Sequence, residues 1–205
     1  MEGRVKITDI KITPPLGRIN LDWKLMKIST DEGIDGLGEW APGVAEERFE
    51  QLKRDLLGRD PLNINTIHHD LLWGMQGLGA GVEIALWDIK GRKLGVPVHS
   101  LIGGRLRGKI RRIAEMADLY HMSIAPHNMA SAVTAIAAAH ICSTIPNFLA
   151  LEYHSYNIPL WDKMLCIKNP IQKGYMAVPD APGLGVDLDE QAVTEYLPGN
   201  APLWS

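Results

Sequence analysis

The chain has 205 residues, of which 46% are hydrophobic and 22% are charged, and its net charge is −3. This composition predicts a globular protein with a buried core, and the absence of a basic excess argues against a nucleic-acid partner. No apolar run is long enough to span a membrane, and the N-terminal residues lack a signal-peptide pattern. Cys142 and Cys166 have no metal-type spacing, which predicts reduced thiols in a cytoplasmic protein.

Three strand-like segments open the chain. They run from Arg4 to Thr13, from Trp23 to Thr30 and from Ile34 to Glu39. Alternation slips near Asp9, which indicates a bulge, and the turn ending at Gly33 joins the last two segments. The pattern predicts an antiparallel meander.

Three helical patterns follow this meander. Their apolar stripes begin near Phe49, Ile64 and Val82, and the third ends near Gly95 and Pro97. Strands followed by helices are typical of an α+β domain. We therefore predict such a domain over residues 1–104.

A strand, a helix and a second strand are expected between Ile124 and Glu152. Short apolar runs end just before His127 and at Glu152, and the residues between them have helical spacing. Consecutive parallel strands joined by a helix lie side by side, and in α/β folds the chemistry sits at their C-terminal ends. His127 and Glu152 are therefore predicted to face one site, although a histidine after a strand is otherwise an ordinary loop residue.

Other polar clusters do not match a known site. The glycines from Gly77 to Gly81 follow a helical pattern rather than the strand that a dinucleotide site requires. His68-His69-Asp70 lacks the spacing of a zinc site, and the acidic residues after Asp180 lack that of a calcium loop. Lys109 to Arg111 reads as a strand stub before a short helix.

Several stretches resemble the enolase superfamily, in its mandelate racemase and sugar-acid dehydratase branch. They are Gly81-Val-Glu-Ile-Ala-Leu-Trp-Asp-Ile-Lys-Gly, Ile124-Ala-Pro-His-Asn, Leu149-Ala-Leu-Glu and Pro182-Gly-Leu-Gly-Val, in the family's order. Within the branch the wording is most similar to galactonate dehydratase-like proteins. The resemblance implies an α+β capping domain followed by a TIM-like α/β barrel domain, which here is truncated and occupies residues 105–205.

The resemblance also implies a chemistry. In this family a base removes the proton α to a carboxylate, and Mg²⁺ holds the resulting enediolate. By resemblance, His127 is the general acid or base, and Glu152 binds the substrate carboxylate. Trp23 and Trp40 are candidate substrate-binding residues, and the loops Pro14 to Asn20 and Trp40 to Ala45 would cover an acid-sugar substrate.

The barrel segment is too short for the whole family pattern. About 100 residues follow Gly104, whereas such barrels need about 200 to 250 residues. Strands two to six are expected to be missing, and with them the base lysine, three acidic Mg²⁺ ligands and the aspartate that pairs with the histidine. His127 is therefore expected to lack a carboxylate partner, and no metal ligand is identified in the sequence.

Two classes of function remain open. One is a Mg²⁺-dependent acid-sugar dehydratase, with racemase or cycloisomerase chemistry as a variant. The other is a catalytically inactive remnant that serves as an interaction protein. Because an incomplete barrel exposes a sheet edge, a homo-oligomer is expected in either case.

Overall fold

The computed structural model describes residues 4–16, 23–40, 45–75, 77–102, 109–153, 160, 163–167 and 170–205. A three-stranded antiparallel sheet of order β1-β2-β3 opens the fold. Its strands are β1 (Ile7–Ile12), β2 (Lys24–Thr30) and β3 (Asp35–Trp40). The predicted meander is therefore confirmed. The bulge is confirmed as well, because the register between β1 and β2 shifts between Ile7 and Asp9.

Helices of the first half cover one face of this sheet. They are α1 (Glu46–Leu56), α2 (Ile64–Ile67), which continues as a π-helical turn (His68–Leu72), α3 (Leu78–Leu94) and α4 (Val98–Ile102). Helix α3 begins four residues before the predicted Val82, within the glycine-rich stretch. It ends as expected at Gly95, which adopts a left-handed conformation with φ 68°.

Helix α3 lies directly against strand β3, and glycines make this contact possible. A Cβ atom on Gly81 would lie 2.0 Å from the carbonyl oxygen of Glu39, and one on Gly38 would lie 2.2 Å from the carbonyl oxygen of Gly81. Neither position accommodates a side chain without moving the backbone. The two elements therefore fix each other's position.

The second half of the chain contains fewer and shorter elements. These are α5 (Lys109–Asp118), α6 (Ala132–Cys142), β4 (Ile171–Gln172), β5 (Tyr175–Met176) and α7 (Glu190–Thr194). The strand stub predicted at Lys109 to Arg111 is wrong, because these residues form the first turn of α5. The alternation of a three-residue stub is too short to compete with the amphipathic helical pattern that follows it.

Two hydrophobic cores lie on opposite faces of the sheet. Met26 and Ile28 of β2 contribute to the first core, together with α1, α2 and α3. Leu25 and Leu37 face the second core, where α6 and the C-terminal segment pack. The C-terminal segment is therefore attached to the capping sheet. The predicted boundary between residues 1–104 and 105–205 lies outside the described residues and stays a prediction.

Candidate functional site

Two parallel chain segments bring His127 and Glu152 together. Ile124 and Phe148 form a parallel bridge, in which the Ile124 amide donates to Asn147 and the Leu149 amide donates to Ile124, both at 2.8 Å. The Glu152 amide then donates to the Pro126 carbonyl at 3.2 Å. The predicted side-by-side arrangement of these segments is present, although the pairing is too short to form regular strands.

The side chains of this pair contact each other directly. His127 Nδ1 and Glu152 Oε2 form an ion-pair contact, and the same carboxylate oxygen accepts a hydrogen bond from the Asn128 amide at 3.0 Å. The His127 side chain is 72% exposed and that of Glu152 is 36% exposed. The pair is therefore accessible to a ligand from solvent.

The expectation that His127 lacks a carboxylate partner is wrong. Glu152 takes that place, because the segment after Phe148 lies beside the segment that carries His127. A carboxylate at Nδ1 keeps a proton on that nitrogen and leaves Nε2 as the basic atom. The pair therefore has the arrangement of a general acid or base with an orienting carboxylate.

Asn128 is the residue at this site that the sequence reasoning missed as a participant. Its side chain is only 4% exposed, and neither its Oδ1 nor its Nδ2 has a hydrogen-bond partner among the described residues. Its backbone amide nevertheless positions the Glu152 carboxylate. The available signal was its place directly after His127, in a motif that had been used only for the histidine.

The two predicted substrate-binding tryptophans lie in the cores. Trp40 is 3% exposed and packs against Phe49, with ring centroids 4.7 Å apart. Trp23 is 9% exposed and belongs to the second core. Most of the two predicted covering loops, at residues 17–20 and 41–44, lies outside the described residues. The structure therefore does not bring Trp23 or Trp40 into contact with His127 or Glu152, and their binding role stays a prediction.

The described residues do not fit a Mg²⁺ ion. Among them, no group of three or more His, Cys, Asp or Glu side chains is close enough to hold a metal. At the site itself, Glu152 is the one carboxylate described, and its Oε2 already contacts His127 and the Asn128 amide. Mg²⁺ prefers near-octahedral oxygen coordination, which these groups do not supply.

Glu39 connects the capping sheet to the helix between the two site segments. It is buried, and its carboxylate accepts hydrogen bonds from the amide and hydroxyl of Ser131 and from the Thr134 hydroxyl. Burial raises the pKa of Glu39 above its ordinary value, and these donors oppose the rise. Because Ser131 is the N-cap of α6, Glu39 positions the helix that follows His127.

Asp88 makes a second connection between the two halves. Its carboxylate accepts hydrogen bonds from the amides of Leu37 and Leu184 at 3.0 and 2.8 Å and from Arg92 Nε at 3.0 Å. Burial raises the pKa of Asp88, while the Arg92 guanidinium opposes that rise. A single buried carboxylate therefore holds β3, α3 and the C-terminal segment together.

The surface clefts lie elsewhere. One of about 340 Å³ is lined by residues that include Arg4, Lys6 and Arg59, and one of about 430 Å³ by residues that include Asp35, Arg92 and Asp187. Among the described residues, His127 and Glu152 line neither cleft. Cys142 is buried, Cys166 is exposed and both are free thiols. In the described part of the chain, no helix is both long and apolar enough to cross a membrane.

Comparison with known proteins gives two family matches. Residues 20–103 match the N-terminal domain of the mandelate racemase / muconate lactonizing enzyme family, and residues 101–192 match the enolase C-terminal domain-like family. The second match supports a partial C-terminal domain after the capping domain, as the sequence predicted.

Curated relatives match parts of the chain. The D-xylonate dehydratase of Haloferax volcanii is 42% identical over 87 residues, which are 42% of this chain and 21% of that protein. The D-galactonate dehydratase of Pectobacterium atrosepticum is 38% identical over 118 residues, which are 52% of this chain and 29% of that protein. The matched part of the chain thus spans less than a third of either relative.

Solved structures match the fold over nearly the whole chain. A mandelate racemase/muconate lactonizing enzyme-like protein from Rubrobacter xylanophilus has a TM-score of 0.75 at 17% identity, covering 98% of both chains. An enolase-superfamily member from Salmonella Typhimurium has a TM-score of 0.74 at 17% identity, covering 93% of this chain and 98% of the other. Together with the two domain matches, this fold places the chain in the enolase superfamily, in its mandelate racemase/muconate lactonizing branch.

Proposed function

We propose that this protein binds a sugar acid and transfers a proton to or from it through the His127–Glu152 pair, as a dehydratase-type reaction requires. The contact between His127 Nδ1 and the Glu152 carboxylate carries this proposal. The names of the relatives support the substrate class, since they are dehydratases of D-xylonate and D-galactonate. The cytoplasmic location expected from the cysteines belongs to the same proposal.

His127 Nε2 is the reacting atom in this proposal. It either removes the proton on the carbon next to the substrate carboxylate or supplies a proton to a hydroxyl group that leaves as water. Glu152 keeps Nδ1 protonated and stabilises the imidazolium that forms when Nε2 takes a proton. The Asn128 amide holds the Glu152 carboxylate in place through its 3.0 Å hydrogen bond.

A solvent-exchange experiment tests the proposal. The protein is incubated in D₂O with D-galactonate, D-xylonate and other aldonic acids, with and without Mg²⁺, and NMR follows deuterium at the α carbon and loss of water. We expect exchange that His127→Asn abolishes and that Glu152→Gln lowers by about 10²-fold, within the range for general acid–base groups. Exchange that persists in His127→Asn would overturn the assignment.

His121→Asn is the matched control. His121 is an exposed histidine in the same half of the chain, and its backbone has a positive φ of 54°, which asparagine tolerates. This variant should exchange deuterium as fast as the unmodified protein. An equal loss in His121→Asn would mean that folding, rather than chemistry at His127, had been disturbed.

A second candidate function is that of an interaction protein without catalysis. The described residues provide no carboxylate cluster for Mg²⁺, and the second half exposes large apolar side chains such as Leu119 and Leu149. Racemase or cycloisomerase chemistry would use the same pair, and would appear in the D₂O experiment as exchange without loss of water. Absence of exchange with every acid tested, with and without Mg²⁺, would favour the interaction protein.

A further inference from the structure

Six large apolar side chains are exposed on and beside helix α5. Their exposed fractions range from 57% to 80%, and we call them the apolar face: Ile113, Met116, Leu119, Tyr120, Met122 and Leu149. The exposed fractions add up to an apolar surface on the order of 700 Å². Monomeric proteins rarely expose a continuous patch of this size without a partner for it.

The apolar face is continuous because two hydrogen bonds join its parts. Asn147 Nδ2 donates to the carbonyl of Ala114 in α5 and to the carbonyl of Met122, at 2.9 and 2.8 Å. This anchors the segment that carries Leu149 beside the C-terminal end of α5. Ala114 is fully buried, so α5 packs on the protein with its Ala114 side, while Ile113 and Met116 extend from the other side.

Helical spacing places the α5 residues of this face in one stripe. Ile113, Met116 and Tyr120 are separated by three and four positions, and Leu119 lies three positions after Met116. The helical hydrogen-bond pattern continues through Leu119, whose amide donates to the Glu115 carbonyl. A second helix can therefore pack along the whole stripe.

The charges of α5 favour a second α5 as that helix. Its first half carries Arg111 and Arg112, and its second half carries Glu115 and Asp118. Positive charge at a helix N-terminus and negative charge at its C-terminus oppose the helix dipole. In an antiparallel pair of α5 helices, the basic half of each would lie beside the acidic half of the other, which offsets this disadvantage.

We propose that two copies of this chain associate through the apolar face, with their α5 helices antiparallel across a two-fold axis near Met116. In this register each Met116 meets its counterpart, Ile113 meets Leu119 of the other copy, and Arg112 meets the ring of Tyr120. The arrangement is self-complementary, as a two-fold dimer requires. Its area is close to the about 800 Å² per partner of a standard interface.

Sedimentation velocity over a range of concentrations tests the association. We expect a monomer–dimer equilibrium in which Met116→Lys raises the dissociation constant at least about tenfold, since it buries a charge at the centre of the interface. Leu94→Lys is the control, because Leu94 is 53% exposed on α3, away from this face, and should leave the constant unchanged. A monomer at every concentration, or equal effects of the two substitutions, would overturn the proposal.

Cysteine cross-linking tests the orientation in a Cys166→Ser background, which removes the exposed native thiol. Met116→Cys should form a disulfide-linked dimer under mild oxidation, whereas Leu94→Cys should not. A mixture of Ile113→Cys and Leu119→Cys proteins should cross-link between the two variants more than within either one. Stronger cross-linking within each variant would overturn the antiparallel register.

A longer family member could occupy the same face instead. Adding an excess of a full-length dehydratase should leave the dimer intact, and displacement of the second copy by that protein would overturn the choice of partner. Deuterium exchange into sugar acids is not part of these measurements. Failure of the dimer and failure of the proposed catalysis are therefore separate results.

Discussion

The contact between β3 and α3 and the contact between the segments at Ile124 and Phe148 differ in kind. In the first, glycines allow two backbones to touch over the length of an element, and both sides of the sheet carry a core. In the second, one parallel bridge and a few amide hydrogen bonds hold the segments, beside an exposed apolar face. The capping half is therefore a complete packing unit, whereas the half with the candidate site depends on its attachments.

Gly81→Ala should break the stronger contact and has the largest expected effect. A Cβ atom would lie 2.0 Å from the Glu39 carbonyl oxygen, so β3 and α3 must separate. We expect a loss of about 3 kcal/mol or more in the free energy of unfolding, at the upper end of overpacking effects. Urea unfolding followed by tryptophan fluorescence measures it.

Gly79→Ala is the control for this substitution. Gly79 is in the same helix, and a Cβ atom there would meet Met75 Cβ at 3.1 Å and the Leu72 carbonyl oxygen at 3.2 Å. Small local shifts relieve such contacts, so the free energy of unfolding should change by less than about 1 kcal/mol. Equal losses in the two variants would contradict the special role of the β3–α3 contact.

Glu39→Gln tests the attachment between the two halves. The carboxylate accepts hydrogen bonds from Ser131 and Thr134, and an amide can replace only part of this acceptor capacity. We expect a loss of about 1 to 3 kcal/mol, as for buried donors left unsatisfied. Hydrogen exchange should accelerate in α6 more than in α3, and an even acceleration over both helices would contradict the role of Glu39 as a joint.

The same variant gives a pH dependence with a definite sign. Because burial raises the pKa of Glu39 in the folded state, the folded protein binds its proton more tightly than the unfolded chain does. This contribution to stability is fully present below the ordinary pKa of 4.5 and is lost as pH rises through the raised pKa. The stability difference between unmodified protein and Glu39→Gln should therefore fall with rising pH.

Much of the capping half follows from local patterns. Alternation in β1, the slip near Asp9, the turn at Gly33 and the end of α3 at Gly95 each depend on residues close in sequence. The start of α3 at Leu78 was missed because glycines usually interrupt helices. Here, Gly81 is kept for its contact with β3, and that contact is invisible in the sequence.

The candidate site was predictable in part. The positions of His127 and Glu152 at neighbouring segment ends could be inferred, because adjacent parallel segments align their ends. The contact of Glu152 with His127 could not be inferred, since it depends on side-chain directions after a bridge of one residue pair. The roles of Glu39 and Asp88 as buried joints were also missed, because their donors lie more than 50 positions away.

Acidification should weaken the second core through His140. This histidine is fully buried, its Nδ1 accepts the His99 amide at 3.2 Å, and its Nε2 donates to the Leu184 carbonyl at 3.0 Å. Burial lowers the pKa of His140, so below the ordinary value of 6.5 the unfolded chain binds a proton that the folded protein resists. Stability should therefore fall by about 1 kcal/mol as pH drops below 6.5.

His140→Gln identifies the source of this pH effect, and His69→Gln is the control because its side chain is 86% exposed. The stability loss between pH 6.5 and the acid limit should shrink in His140→Gln and persist in His69→Gln. His99 and Asp180 also affect His140, so the buffer series is repeated with Asp180→Asn. An unchanged pH slope in His140→Gln would contradict the assignment.

Glu190→Gln should have the smallest effect, because it weakens a surface attachment between α7 and β2. The Glu190 carboxylate accepts hydrogen bonds from Lys27 Nζ and from the Trp204 indole, and Lys27 lies 4.5 Å from the centre of a Trp204 ring. Lys27 lowers the pKa of Glu190, so its contribution is present above pH 4.5 and is lost as pH falls through the lowered pKa. Since the Glu190 side chain is 47% exposed, we expect a loss of only about 0.2 to 1 kcal/mol at neutral pH. Thermal unfolding at low and high salt measures it, and a loss as large as that of Glu39→Gln would mean that the surface attachment, rather than the buried joint, holds the second half in place.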